Sequence, residues 1–498
     1  MPLATALLAA LALALPVSAA EQVVGLSAHG SLIQAQIVPA RAGSTSTVLL
    51  LGGLHGEGAS SAEVRTAVAR YLARPPSARA FRLIAIATAN PEGAALEFPP
   101  TGIAYREHTE SNLLWRWIGI HAPDRVLITD ADDSGFAAAL EQQPVAGVGA
   151  IPARRGVTAA QVLEEKPPPP SDAHRELERR LARSPLELAR ELAMYYGHDF
   201  SAPIYINALA LLGQLRLGHL DAVRALAEPY VDGTRDSLAR ANSLVIGGHL
   251  IFGELARRTG DARYLARVRA AAALGFEPDG SLKRAMPFNA GFSDSIFMDT
   301  IVLAQAGALT GERRYFDMAA RHVAYMRGLL LRPDGLYRHE PGNDAAWGRG
   351  NGFPALGLAL LLADFPKDHP EYPTLLRDYR EHMRALLPHQ DADGLWHNVI
   401  DVPGSYAEFS ATALIGFAMR RGIEAGWLDE PQFGPAVRRA WQAVLGRVGA
   451  QGQVFDVSES TIRADSPEFY LHRAAILGAD PRGGAVALLF ATEMAGLR

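Results

Sequence analysis

A turn that returns every 47 to 59 residues limits this chain to very few folds. It is a Gly-centred turn ahead of a short β-prone stretch. It stands at Asp232-Gly233, Asp279-Gly280, Asp334-Gly335-Leu336-Tyr337, Asp393-Gly394-Leu395-Trp396 and Gln451-Gly452. A second marker, Thr259-Gly260-Asp261-Ala262-Arg263-Tyr264, comes back as Thr310-Gly311-Glu312-Arg313-Arg314-Tyr315 at an offset of 51. The stretches between are helical in pattern, and repeats of this length fit helical hairpins. From Asp172 onward there is room for six. Six hairpins closed in a ring make an (α/α)6 toroid with inner helices around a central cavity. An open solenoid would show tighter periodicity, so closure is expected.

The first third of the chain has another texture. Residues 1–20 have the form of a secretory signal: an apolar core from Ala4 to Leu15, too short to span a bilayer, then Val17-Ser18-Ala19 as a small-residue cleavage site. From 21 to 160, short apolar runs (Thr47 to Leu51, Leu83 to Ala87, Val126 to Ile128) alternate with helical stretches. That pattern predicts a small α/β domain with a largely parallel sheet. Residues 161–174 hold four consecutive prolines, Pro167 to Pro170, and read as a stiff linker, leaving 175–498 for the mainly α toroid. The chain has no cysteine and a net charge of -5, which excludes a disulfide framework and gives no nucleic-acid footprint. No run after the leader reaches membrane-spanning length. A periplasmic or secreted protein without membrane or nucleic-acid partners is expected.

The repeat register also collects candidate chemistry. Asp294 lies 14 residues after Gly280, Trp347 lies 12 after Gly335, and Glu408 lies 14 after Gly394. Each precedes an apolar helix, so all three should meet at the N-terminal ends of inner helices, where partial positive charge favours an anionic ligand. The β-prone stretches bring Tyr337, Arg338, His339, Trp396, His397 and Asn398 to the same end. Trp347-Gly348-Arg349-Gly350-Asn351-Gly352 sets an indole face, a guanidinium and an amide among glycines, as a sugar acid would need. Asp294 reads either as a first-turn cap or as a proton donor ringed by Phe292, Phe297 and Met298. Glu408 and Ser410 read as a polar wall or as a capping pair. His249 reads as a satisfied buried histidine.

Taken together, the blocks Asp294-x-x-Phe297-Met298, Gly335 to His339, Trp347 to Gly352, Gly394-Leu395-Trp396 and Glu408-x-Ser410-x-Thr412 resemble glycoside hydrolase families 88 and 105. These are the unsaturated glucuronyl and rhamnogalacturonyl hydrolases. The resemblance implies removal of a 4,5-unsaturated uronic acid from the non-reducing end of pectin- or rhamnogalacturonan-type oligosaccharides, without a cofactor or metal. Asp294 would be the general acid–base. Arg349 and His339 would hold the uronate, and Phe292, Trp347 and Trp396 would pack on the rings. The family's second acidic position falls at Asn242, and Phe292 stands where a Trp is common.

The N-terminal region resembles a degenerate zinc carboxypeptidase. Gly52-Gly53-Leu54-His55-Gly56-Glu57-Gly58 and Asn90-Pro91-Glu92-Gly93 are similar to that family's metal and turn motifs. Gly58 stands at the ligand glutamate's position, and Thr129-Asp130 replaces a later histidine. Two other functions stay open on sequence alone: a zinc peptidase or amidohydrolase in this region, and an inactive oligosaccharide-binding protein.

Overall fold

A computed structural model describes residues 19–460 and 462–498. The expected secretory leader, apart from its last two residues, lies outside them. Six strands form one mixed sheet: β1 (Ala20–Leu26), β2 (Leu32–Val38), β3 (Thr47–Leu51), β4 (Arg82–Ile86), β5 (Arg125–Ile128) and β6 (Ala153–Arg154), in the order β1-β2-β4-β3-β5-β6. The pairs among β3, β4, β5 and β6 are parallel, whereas β1 and β2 add an antiparallel edge. Helices α1 (Ala59–Ala73), α2 (Thr109–His121), α3 (Phe136–Gln142) and α4 (Ala159–Glu164) accompany the sheet. Central β3 is apolar at every position after Thr47 because it is covered twice. Leu49 and Leu51 join one core cluster, and Val48 and Leu50 join the other.

The linker is shorter than its composition suggests. Helix α4 reaches Glu164, and α5 (Asp172–Leu181) begins two residues after the prolines, capped by the Ser171 hydroxyl. The proline run lies against the sheet domain, where the Ser46 hydroxyl donates to the Pro168 carbonyl at 2.9 Å.

Beyond it, helices alternate between two rings. The inner ring holds α7 (Tyr205–Arg216), α9 with α10 (Ser243–Gly248, Leu250–Thr259), α12 with α13 (Ser295–Met298, Ile301–Thr310), α15 (Gly348–Asp364), α17 (Phe409–Glu424) and α20 (Pro481–Met494). Outside them lie α6 (Pro185–Ala193), α8 (Leu220–Val231), α11 (Ala262–Ala273), α14 (Arg313–Leu330), α16 (Tyr372–Leu386) and α18 (Glu430–Arg447). Successive inner helices touch, and α20 packs on α7, so the ring closes into the toroid. Composition separates the two rings. Inner α15 is buried from Gly348 to Leu362, while outer α16 buries Leu375, Tyr379, Met383 and Leu386 and exposes Arg377, Glu381 and Arg384. Short strands β7 (Trp396–His397), β8 (Ala407–Glu408), β9 (Val454–Ser458) and β10 (Ala475–Gly478), with α19 (Pro467–Leu471), sit at the inner helices' N-terminal end. Among the described residues, no helix is long and apolar enough to cross a membrane.

Candidate active site

The turn register holds in three dimensions. Gly280, Gly335 and Gly394 take φ of +84°, +85° and +92°, the left-handed region where a side chain is strained. Each turn folds its flanks back on themselves, as in the Phe276–Leu282 and Leu331–Tyr337 bridges, and then sends the chain to the inner ring. Asp294, Trp347 and Glu408 are the N-cap residues of α12, α15 and α17.

Asp294 does not spend its carboxylate on capping. The Asp294 side chain is 20 % exposed, and its Oδ1 is 3.6 Å from His339 Nε2. Oδ1 is buried and has no hydrogen-bond partner among the described residues. A buried carboxylate oxygen without a donor is costly, so its retention calls for a purpose. His339 is held from several sides. Phe292 stacks on it at 4.5 Å, Trp347 meets it edge-on at 4.8 Å, and its Nδ1 lies 2.8 Å from the Tyr470 hydroxyl. The Ser293 N–H donates to the His339 carbonyl, tying the approach to α12 to the turn that carries the histidine.

Arg349 lies over Trp347, its guanidinium 4.7 Å from the ring centroid. Sequence expects a clamp for a carboxylate; the structure shows a strap. Nη1 donates to the Ser458 carbonyl at 2.6 Å and the Ser410 hydroxyl at 3.2 Å, and Nη2 donates to the Glu459 carbonyl at 2.9 Å. The charge nevertheless acts on the same space as Asp294: both influence the buried Tyr205 hydroxyl, which burial pushes up to about 12. Trp347 is only 2 % exposed and its face carries Arg349, so the ring more open to a ligand is the half-buried Phe292.

Several other expected contacts prove to be scaffolding. Asn351 is fully buried. Its amide donates to the Tyr337 and Trp347 carbonyls and accepts from the Tyr337 N–H, which locks the turn to α15. Trp396, expected at the rim, is fully buried, with its indole N–H on the Leu386 carbonyl. Glu408 caps α17 through the Ser410 and Ala411 N–H groups and accepts the Ser458 N–H at 2.8 Å. Asn242 is an exposed cap of α9, its oxygen taking the Val245 N–H. His249 is the satisfied core histidine the sequence indicates, between the Val245 carbonyl and the Ser237 hydroxyl.

Residues the sequence reading missed complete the picture. Tyr205 opens inner helix α7, in phase with the other caps, and that position was its only signal. Tyr470 and Arg463 come from a segment with no repeat marker. Arg463 lies over Phe292 at 5.8 Å and pairs with buried Glu340 at 3.4 Å. Beneath α12 lies a buried polar group, in which Asp299 Oδ1 too has no hydrogen-bond partner among the described residues. Asp299 accepts from Ser243 Oγ at 3.0 Å and Ser295 Oγ at 2.5 Å, and His322 Nε2 lies 2.7 Å from the same Ser295 oxygen. The Met286 N–H donates to His322 Nδ1, so the neutral ring carries its proton on Nε2 and cannot serve Ser295 as a base. Burial raises Asp299 to about 7 and lowers His322 to about 4, so both are predominantly neutral near pH 6.

The site also reaches the sheet domain. Arg116 of α2 grips Asp456 with two hydrogen bonds of 2.9 and 2.7 Å, and both side chains are buried. Asp456 adopts φ +64° in β9, two residues before the Ser458 that Arg349, Trp347 and Glu408 all contact. Tyr105 stacks on Tyr406 at 4.5 Å across the same boundary.

The zinc reading of the first domain does not fit its residues. Glu57 is engaged by Thr88 and Arg65, and His55 Nε2 lies 3.0 Å from the Asp132 carbonyl oxygen. Among the described residues, no group of three or more His, Cys, Asp or Glu is placed to hold a metal.

Comparison with known proteins gives one family. The model for Glycosyl Hydrolase Family 88 matches residues 219–497. An unsaturated rhamnogalacturonyl hydrolase, YesR of Bacillus subtilis, is 31% identical over 187 residues, which cover 36% of this chain and 52% of that protein. An unsaturated 3S-rhamnoglycuronyl hydrolase of Formosa agariphila is 38% identical over 114 residues, 21% of this chain and 29% of that one. The chain thus matches about half or less of the length of these relatives. A Klebsiella pneumoniae structure described as a possible member of the GH105 family covers 62% of this chain and 92% of its own at a TM-score of 0.53, with 20% identity; this is a likeness of fold.

Proposed function

The chain belongs to glycosyl hydrolase family 88, and from that premise we propose that it removes a 4,5-unsaturated uronic acid from the non-reducing end of pectin- or rhamnogalacturonan-type oligosaccharides. The observation that carries this reading is the buried Oδ1 of Asp294, which has no donor among the described residues and lies 3.6 Å from His339 Nε2. A carboxyl kept from capping and set at the mouth of the ring is suited to move a proton.

The substrate's C4=C5 bond is conjugated with the ring oxygen as a vinyl ether. Asp294 gives its proton to C4, which leaves an oxocarbenium centre at C5 stabilised by that oxygen. Water adds to C5 and returns a proton to the Asp294 carboxylate. The resulting hemiketal opens: C5 becomes a ketone, and the bond from C1 to the leaving sugar breaks as C1 becomes an aldehyde. One carboxyl suffices for both transfers, unlike displacement at the anomeric carbon, which takes two. Phe292 offers the sugar an apolar face. Arg349, its geometry fixed by three acceptors, supplies positive potential for the uronate instead of a direct clamp, and the helix N-termini add to it.

The test uses disaccharides produced from pectin and from glycosaminoglycans by lyases, and follows the ultraviolet absorbance of the unsaturated uronate. Absorbance should fall with the native protein and stay constant with Asp294→Asn. Undiminished turnover in that variant removes Asp294 from the role, and no turnover of any such disaccharide by the native protein refutes the reading. The leader-like residues 1–20 support a place outside the cytoplasm, which fractionation of the producing cells would check.

A further inference from the structure

The end of the toroid opposite Asp294 holds a cavity of about 340 Å³. It lies among the C-terminal halves of the inner helices, about 25 Å along α15 from Trp347 at 1.5 Å per residue. Its volume falls at the small end of ligand pockets, roughly 300–1,000 Å³. Arg216, Arg257 and Arg421, in the last turns of α7, α10 and α17, line it with Glu254, Gln305 and Asp364.

Cations at helix C-termini offset the negative end of each macrodipole, and that accounts for arginine here. It does not account for what the arginines leave unused. Glu493 takes Arg421 through Nε at 2.5 Å and Nη2 at 2.6 Å, and also takes Arg216 Nη1 at 3.0 Å. One carboxylate thus serves two guanidinium groups. Arg216 Nε and Nη2 have no hydrogen-bond partner among the described residues, and burial lowers Arg216 to about 10. Across the cavity, Gln305 donates to the Leu250 carbonyl at 3.0 Å and to Glu254 at 3.3 Å, while its buried Oε1 has no donor among the described residues. Asp364 accepts Arg257 Nη2 through both oxygens at 2.8 Å and Glu254 Oε1 accepts Gln305 Nε2 at 3.3 Å, and each carboxylate oxygen keeps a second lone pair for a hydroxyl.

We propose that this cavity binds a monosaccharide-sized hydroxycarboxylate, a sugar acid, independently of the reaction at the other end. Its carboxylate would meet Arg216, and its hydroxyls would donate to Gln305 and the two acids. A bare inorganic anion would satisfy only the arginine, and a neutral sugar only the acceptors.

Calorimetric titration of the full chain with sodium D-galacturonate, galactose and sodium sulfate tests this. Galacturonate should bind, and the other two at least about tenfold more weakly, the margin expected when a charge-assisted hydrogen bond is absent. Arg216→Met should weaken galacturonate binding by about tenfold or more. Should that variant fail to fold, Ala363→Trp, which places an indole at the cavity wall, should have the same effect. Asp294→Asn should leave the binding unchanged. Absence of binding, equal binding of sulfate, binding that survives Ala363→Trp, or binding lost in Asp294→Asn would each overturn the assignment.

Discussion

Gly357→Ala sets stability against catalysis in a single substitution. Gly357 sits where α15 crosses α12, and a Cβ built there lies 2.6 Å from Phe297 Cα, 2.7 Å from the Ile296 carbonyl oxygen and 2.8 Å from the Phe297 nitrogen. Carbon atoms in contact prefer roughly 3.5–4.0 Å, so the helices must part by about 1 Å. The obstacle is backbone, which cannot swing aside as a flexible side chain can. Overpacking of this kind costs about 1–3 kcal/mol, and alanine in place of helical glycine returns about 1 kcal/mol. The net loss of stability should therefore be modest, about 0–2 kcal/mol. Activity should suffer far more, because α12 begins next to Asp294 and moves with Phe297. A misplacement of about 1 Å at a reacting group can cost roughly 100-fold in rate. Urea unfolding followed by circular dichroism gives the first quantity, and the fall of ultraviolet absorbance with unsaturated disaccharides gives the second. A folded variant with kcat/KM within about threefold of the native value would refute the claim that this crossing positions the acid.

Arg116→Met removes both direct arginine hydrogen bonds of buried Asp456 and leaves it the Tyr105 hydroxyl and the Arg447 guanidinium 3.6 Å away, so it should destabilise the protein at the low end of about 3–5 kcal/mol, and adding Asp456→Asn should recover part of the loss in urea titrations. Arg349→Lys keeps the charge but cannot span Ser410, Ser458 and Glu459 together, so kcat/KM should drop about tenfold or more in the absorbance assay; native-like kinetics would contradict the strap. Burial lowers His249, His322 and His382 to about 4, so they are neutral in the fold and charge when unfolded, and their stabilisation is lost as pH falls from about 6.5 to about 4. Asp299, raised to about 7, acts in the opposite sense: it stays protonated in the fold, and its contribution is lost as pH rises from about 4 to about 7. Three histidines outweigh one aspartate, so acid should destabilise the native protein, and Asp299→Asn should steepen that fall. Equal slopes in the two proteins would show that Asp299 is not held neutral.

The ring of hairpins was legible because its signal is local. A glycine with positive φ is needed at each turn, and the distance from turn to inner helix is nearly constant. That spacing identified Asp294, Trp347 and Glu408 as helix starts, and brought Phe292 and His339 to the acid. Burial was not legible in the same way. Trp396 stands two residues after its turn glycine, as the equally buried Tyr337 does, whereas His339 stands four after, and nothing in a β-prone stretch says which of these side chains meets the site. Asn351 has equal capacity for ligand and backbone, and only its three backbone partners decide between them. The sheet's antiparallel edge escaped because β1 and β2, though longer than the central strands, are only partly apolar. Tyr470 and Arg463 escaped for another reason: their partners His339, Glu340 and Ala290 are more than 100 residues away, beyond any periodicity.

Because Asp456 answers to α2 while Ser458, two positions on, steadies the chemistry, the sheet domain cannot be treated as detachable cargo. Anyone trimming the gene at the proline run to obtain a minimal catalyst would strip Asp456 of Arg116 and Tyr105 and leave only Arg447, 3.6 Å away, to hold it at its φ of +64°. Such a fragment should keep its ring of helices yet lose the alignment of the loop above it. Grafting the ring onto another carrier would require a substitute guanidinium at the same spot.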